Sequence, residues 1–184
     1  MRLFVASAFE PAFNANLAAI AAYARDNAGR DAVKWVEPGN FHVTYAFLGD
    51  VDRRAADAAV KGIDAGTEGL RSFRVASGGL GVFPSARHPS VLWVGIGEGA
   101  AELRELARRL AEGLAAAGLI FENRFEPHVT IGRVKRPLPE NFFRRTADFS
   151  ASKRASSAVA SVELMESRLT QDGPVYGSVY SRKL

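Results

Sequence analysis

Cysteine is absent from the 184 residues. That excludes a disulfide framework, a thiolate zinc site, an iron–sulfur cluster and a thiol nucleophile. Long apolar runs are absent too, since no segment approaches the ~18 uninterrupted residues of a membrane span. The apolar opening Leu3-Phe4-Val5-Ala6 is short and closed by Glu10-Pro11. It reads as a buried strand rather than a signal peptide, which places the chain in the cytoplasm, away from membranes, by default. A strong charge bias is missing as well. Lys and Arg total 24 against 20 Asp and Glu, leaving +4. Such an excess permits an anionic substrate without demanding one.

What is present fits a globular protein: 47% hydrophobic and 24% charged residues. A chain of this size buries about 70% of its unfolded surface and needs no staple. No linker rich in Gly, Ser or Pro divides it, so residues 1–184 are expected to form one domain. Helical and strand periods alternate along it. Strands are expected over 2–9, 33–36, 41–48, 73–82, 91–96, 128–134, 159–169 and 175–180. The bend at Gly78-Gly79 and the turn at Gln171-Asp172-Gly173-Pro174 punctuate this order. Helices are expected over 11–27, 51–63 and 98–117. The last carries Leu103, Leu106, Leu110 and Leu114 on one face. Residues 137–145 read as a turn with at most one turn of helix.

Two of the three histidines share a context. His42-Val43-Thr44-Tyr45 and His128-Val129-Thr130-Ile131 lie nearly half a chain length apart, each after a turn and each opening a strand. Strand side chains alternate faces, so His and Thr two apart project together while Val packs behind. Displacement at phosphorus needs a base for the nucleophile and an acid for the leaving oxygen, on opposite sides. With an ordinary pKa near 6.5, one imidazole can be neutral while the other is protonated. Two threonine hydroxyls can donate to the non-bridging oxygens. Two histidines with no carboxylate at matching spacing make a poor metal site, so neither metal nor cofactor is expected.

These paired tetrapeptides resemble the signature of the 2H phosphoesterases. Within them, the chain is most similar to the RNA 2′,3′-cyclic phosphodiesterases, historically called 2′-5′ RNA ligases. The likeness includes the opening Arg2-Leu3-Phe4-Val5-Ala6, the stretch Val33-Lys34-Trp35-Val36, and Phe41 through Val51. It continues through Val91-Leu92-Trp93-Val94-Gly95, Pro127 through Arg133, and Glu166-Ser167-Arg168-Leu169. The resemblance implies an α+β fold of two pseudo-symmetric lobes, each an antiparallel sheet with outer helices, facing across a central cleft. It implies hydrolysis of a 2′,3′-cyclic phosphate to a 2′-phosphate, with His128 as general base and His42 as general acid. Thr44 and Thr130 would hold the phosphate, Phe47 would contact the nucleoside, and Arg133 would stand near the phosphate. Strand alternation puts Phe47 and Arg133 on the face opposite the histidines unless the backbone bulges. A family aromatic of the first strand falls here on Val5.

The partners so implied are RNA ends or nucleotides bearing a 2′,3′-cyclic phosphate, bound by a monomer. Two other functions fit the same motifs: 2′-5′ joining of RNA ends by the same site, and a nucleotide- or RNA-binding module without turnover. His88, in a polar loop, reads as surface. The pairs Arg108-Arg109, Lys135-Arg136 and Arg144-Arg145 read as solvated charge, because no aromatics are interleaved with them. Trp35 and Trp93 read as core or cleft wall.

Overall fold

The computed structural model describes residues 1–171 and 173–184. Asp172, in the turn expected at Gln171–Pro174, lies outside the described residues. Strand β1 (Arg2–Ser7) leads into α1 (Pro11–Ala28), whose proline occupies the first helical turn, where a missing N–H costs nothing. β2 (Val33–Trp35) and a 3₁₀ turn at Pro38–Asn40 precede β3 (Val43–Asp50). Then come α2 (Arg53–Thr67), β4 (Phe73–Pro84), β5 (Pro89–Ile96), α3 (Ala100–Ala116) and β6 (His128–Val134). The chain closes with α4 (Phe142–Ser152), β7 (Ser156–Val159), β8 (Ser161–Thr170) and β9 (Gly173–Lys183).

Two antiparallel sheets result. One runs β3-β1-β8-β9, the other β2-β6-β5-β4-β7. Helices α2 and α3 cover the first, while α1 and α4 cover the second. This is the expected α+β architecture of two sheets with outer helices. Each half of the chain contributes to both lobes, however. α1 leaves β1 of the first sheet and packs on the second, and α3 leaves β5 of the second sheet and packs on the first.

The core follows from the apolar stripes. α3 buries Leu103, Leu106, Leu110 and Leu114, and α1 buries Phe13, Leu17 and Ile20. Each such side chain contributes about 1.5–3 kcal/mol on burial. α2 and α3 meet backbone to backbone. A Cβ on Gly113 would stand 2.3 Å from the Gly62 oxygen, and one on Gly62 would stand 2.8 Å from the Leu114 Cα. The Asp52 carboxylate caps α2 by accepting from the Ala55 N–H at 2.8 Å.

The expected element boundaries hold to within a few residues except in two places. Residues 137–145, read as a turn, begin the eleven-residue helix α4. Its buried face is Phe142, Thr146 and Ser150, and the Thr146 hydroxyl donates to the Phe142 carbonyl at 2.8 Å. Hydroxyls that satisfy themselves on the preceding turn hide a buried stripe from a hydrophobicity pattern. The strand expected over 159–169 is the second departure. A separate β7 ends at Val159 on the edge of the second sheet, and β8 begins at Ser161 in the first.

Candidate active site

β3 and β6 carry the paired motifs, and both are deformed in the same way. Opposite β3, Ala6 pairs with Thr44 and Val5 with Ala46, which leaves Tyr45 as an extra residue. Opposite β6, Trp93 pairs with Thr130 and Leu92 with Gly132, which leaves Ile131 extra. Each bulge directly follows the threonine. Burial records it: along Val43–Phe47 and along Val129–Arg133 the second and third buried residues are consecutive, and an exposed residue follows. A bulge inserts one residue and reverses the alternation beyond it. Phe47 and Arg133, which strict alternation sends to the far face, are therefore returned to the face of the histidines. Phe47 is 65% exposed, with its ring 6.1 Å from that of Phe4.

The two imidazoles are held alike. His42 Nδ1 lies 2.6 Å from the Asn40 carbonyl oxygen, and His128 Nδ1 lies 2.7 Å from that of Glu126. A carbonyl only accepts, so each Nδ1 carries a proton and each Nε2 is left for chemistry. Burial pushes both rings below the ordinary imidazole value, opposed by these carbonyl bonds. Beyond this shared pattern the two differ. The charge of His128 holds His42 lower still, whereas the Glu126 carboxylate favours the protonated form of His128. His42 beside the first sheet thus lies within electrostatic reach of His128 on the second, and strands β3 and β6 come into contact.

An aromatic wall backs each imidazole. Phe4 stands 5.0 Å from the His42 ring and Tyr176 meets it edge-on at 5.4 Å. Phe83 meets the His128 ring edge-on at 5.1 Å, with Trp93 6.1 Å away. Trp93 is thus cleft wall, seated over Gly81, where a Cβ would fall 2.2 Å from the indole. Val5 is wholly buried in the core, and the first-strand aromatic beside the site is its neighbour Phe4. Tyr176 and Phe83 escape a sequence reading because no motif surrounds them. They stand on β4 and β9, strands that do not pair with the motif strands, so only the tertiary fold brings them there.

Thr44 and Thr130 are half-buried on the cleft side of their strands, one residue before each bulge. The Arg133 charge reaches the Tyr176 phenol of the opposite sheet, as does that of Arg2. Both draw down a hydroxyl that burial pushes up. His88 is exposed. Arg108 is engaged by Glu105 and Glu112 along α3, and Arg109 donates to the Glu68 carbonyl, so this basic pair serves the helices. Among the described residues no group of three or more His, Asp or Glu converges as metal ligands, and no helix is long and apolar enough to cross a membrane.

The chain is similar to known proteins. The family model described as LigT like phosphoesterase matches the chain twice, over residues 9–93 and 94–176, one motif in each match. An RNA 2',3'-cyclic phosphodiesterase of Aquifex aeolicus is 39% identical over 150 residues, covering 78% of this chain and 77% of its own. Another from Archaeoglobus fulgidus is 33% identical over 178 residues, 96% of each chain. The crystal structure of E. coli LigT complexed with 3'-AMP superposes with a TM-score of 0.73 at 25% identity, covering 100% of this chain and 97% of that one. A repeated motif on two bulged strands, matched over both halves, leaves one assignment: the chain belongs to the LigT-like phosphoesterases, the 2H family.

Proposed function

We propose that this chain is an RNA 2′,3′-cyclic phosphodiesterase that opens cyclic phosphate ends to 2′-phosphates by a two-histidine mechanism without a metal. The observation that carries the proposal is the shared anchoring of His42 and His128. Each ring has its Nδ1 proton committed to a carbonyl and its Nε2 free, and the charge of His128 acts on His42. His128 Nε2 takes a proton from water, the water oxygen bonds to phosphorus, and the P–O3′ bond breaks in line. His42 Nε2 gives its proton to the departing O3′. Thr44 and Thr130 donate to the non-bridging oxygens, whose charge must be held through the transition state. Arg133 adds positive charge beside them, and the exposed Phe47 ring offers a face to the nucleoside.

Assay of the purified protein on 2′,3′-cyclic nucleotides and RNA ends, with EDTA present, tests this. Turnover is expected to persist. His42→Ala and His128→Ala are each expected to lose at least ~10²-fold, the usual contribution of one acid–base group. Full activity in either variant refutes the mechanism. Binding of 2′-AMP or 3′-AMP without any turnover identifies a binding module instead.

The assignment of acid and base has a second reading. The Glu126 carboxylate favours a proton on His128, while burial and the charge of His128 favour a neutral His42. That polarity reverses the roles. A substrate with sulfur in place of O3′ separates the two, since a thiolate leaves without an acid. The variant lacking the acid regains activity on it and the variant lacking the base does not. With a ribose hydroxyl in place of water as the nucleophile, the same displacement of O3′ joins ends through a 2′-5′ linkage. Product analysis at high concentrations of RNA ends, without ATP, reads it. Both histidines come from one chain, which supports a monomer, and RNA ends as substrate support a cytoplasmic enzyme. Sedimentation and cell fractionation check these.

A further inference from the structure

β8 and β9 continue as an arm past the sheet. The last β1–β8 rung is Leu3–Glu166, yet β8 and β9 stay paired from Ser167–Tyr176 to Thr170–Gly173. This arm has no third strand at its side, but it touches the His42 side of the site twice. Asn40 Nδ2 donates to the Pro174 carbonyl at 3.2 Å. Tyr176 packs edge-on against both His42 and Phe4, at 5.4 and 5.0 Å. Asn40 is also the residue whose carbonyl accepts the His42 Nδ1 proton. One residue therefore links the ring to a strand 134 positions away.

The equivalent residue of the other motif is Glu126, which anchors His128 by its carbonyl and has its side chain on Arg104 of α3 at 3.3 Å. That pair is 54% and 65% exposed. Ion pairs of such exposure contribute little, because water screens them and two long side chains must be ordered. The Asn40 tether is partly buried and neutral, so it is not screened in this way.

We infer that the β8–β9 arm is a brace for the His42 imidazole, with Asn40 and Tyr176 as positioning residues. The inference rests on the reading of His42 as an acid–base group. Without the tether the Asn40 peptide is free to turn, and the ring loses the acceptor that selects the Nδ1–H tautomer. Free neutral imidazole prefers the proton on the other nitrogen, Nε2, which opposes loss of the Nε2 proton from an acid as much as its uptake there by a base. Without the Tyr176 ring, the imidazole has space to swing.

Asn40→Asp keeps the shape but cannot donate to Pro174, and Asn40→Ala removes the contact. Each is expected to lower kcat about 10-fold with KM within about 2-fold, as misplacement of a reacting group does. Nitrogen-15 NMR of the ring is expected to show the Nδ1–H form of His42 depleted and that of His128 unchanged. Tyr176→Ala, which removes the ring, is expected to lose kcat as Asn40→Asp does. Arg104→Ala is expected to stay within about 2-fold. Unchanged kcat and an unchanged His42 tautomer in Asn40→Asp overturn the brace, as does an equal loss in Arg104→Ala. Activity surviving in His42→Ala instead removes the reaction assignment, and the tautomer measurement still decides the brace.

Discussion

At the scale of single residues, the site rests on two imidazoles made alike and then made unequal. Their carbonyl anchors set the tautomer, and burial lowers both below the ordinary 6.5. The pH dependence of kcat/KM reports the acid and base of the free enzyme. The base must be neutral and the acid protonated, so depressed values move both limbs the same way. The bell-shaped profile of kcat/KM is therefore expected to centre below pH 6.5. A maximum well above that value contradicts the burial of the rings. The same shift appears in stability. Rings depressed in the folded state take up protons more readily when unfolded, so their contribution is complete above pH 6.5 and is lost as pH falls through the depressed values. Urea midpoints measured on either side of pH 6.5 check the sign, with His42→Ala and His128→Ala expected to flatten the dependence.

Single elements show how much a local irregularity decides. His and Thr at i and i+2 were legible from spacing alone, because the period of a strand is two. Phe47 and Arg133 were not, since an extra residue at Tyr45 and at Ile131 turns the later side chains of each strand to the opposite face. Nothing in Thr-Tyr-Ala or Thr-Ile-Gly announces a bulge. It is visible only in the register against β1 and β5. The α2–α3 contact is a second case, in which Gly62 and Gly113 read as weak helix residues until the helices are seen to touch. Alanine is the better helix former by about 1 kcal/mol, so propensity alone makes Gly113→Ala stabilising. Its Cβ would stand 2.3 Å from the Gly62 oxygen, and neither backbone can yield cheaply. Gly113→Ala is expected to cost about 1–3 kcal/mol by overpacking. A denaturant midpoint at or above wild type contradicts the close contact.

For the whole molecule, the exchange of elements between lobes has a consequence for folding. α1 buries Phe13 and Leu17 and packs on the second sheet, as does β2 after it, while β1 before it and β3 beyond it lie in the first. β8 returns from the far end of the chain to pair with β1. Cutting between the two repeats strips each sheet of strands and each helix layer of a partner. We therefore expect one cooperative unit over residues 1–184. Unfolding followed by tryptophan fluorescence, which reports Trp35 and Trp93 of the second sheet, should coincide with far-ultraviolet circular dichroism, which reports all elements. Separated transitions, or a folded fragment ending near residue 97, contradict this.

The sequence by itself determined most of the element types, the repeat and the two candidate histidines. Each of those is encoded by residues near one another in the chain, through hydrophobic period, turn residues and the spacing of His from Thr. It also suggested the class of chemistry, because a pair of imidazoles suits acid–base work at phosphorus, and left its direction open. The tertiary structure alone decided which partners surround those side chains. The exchange of helices, the bulges, the aromatic walls of Phe4, Tyr176, Phe83 and Trp93, and the reach of Pro174 to Asn40 all join residues far apart in sequence. Contacts of that kind are set by how sheets pair and curl. No local pattern records them, because the same local propensities are compatible with many pairings.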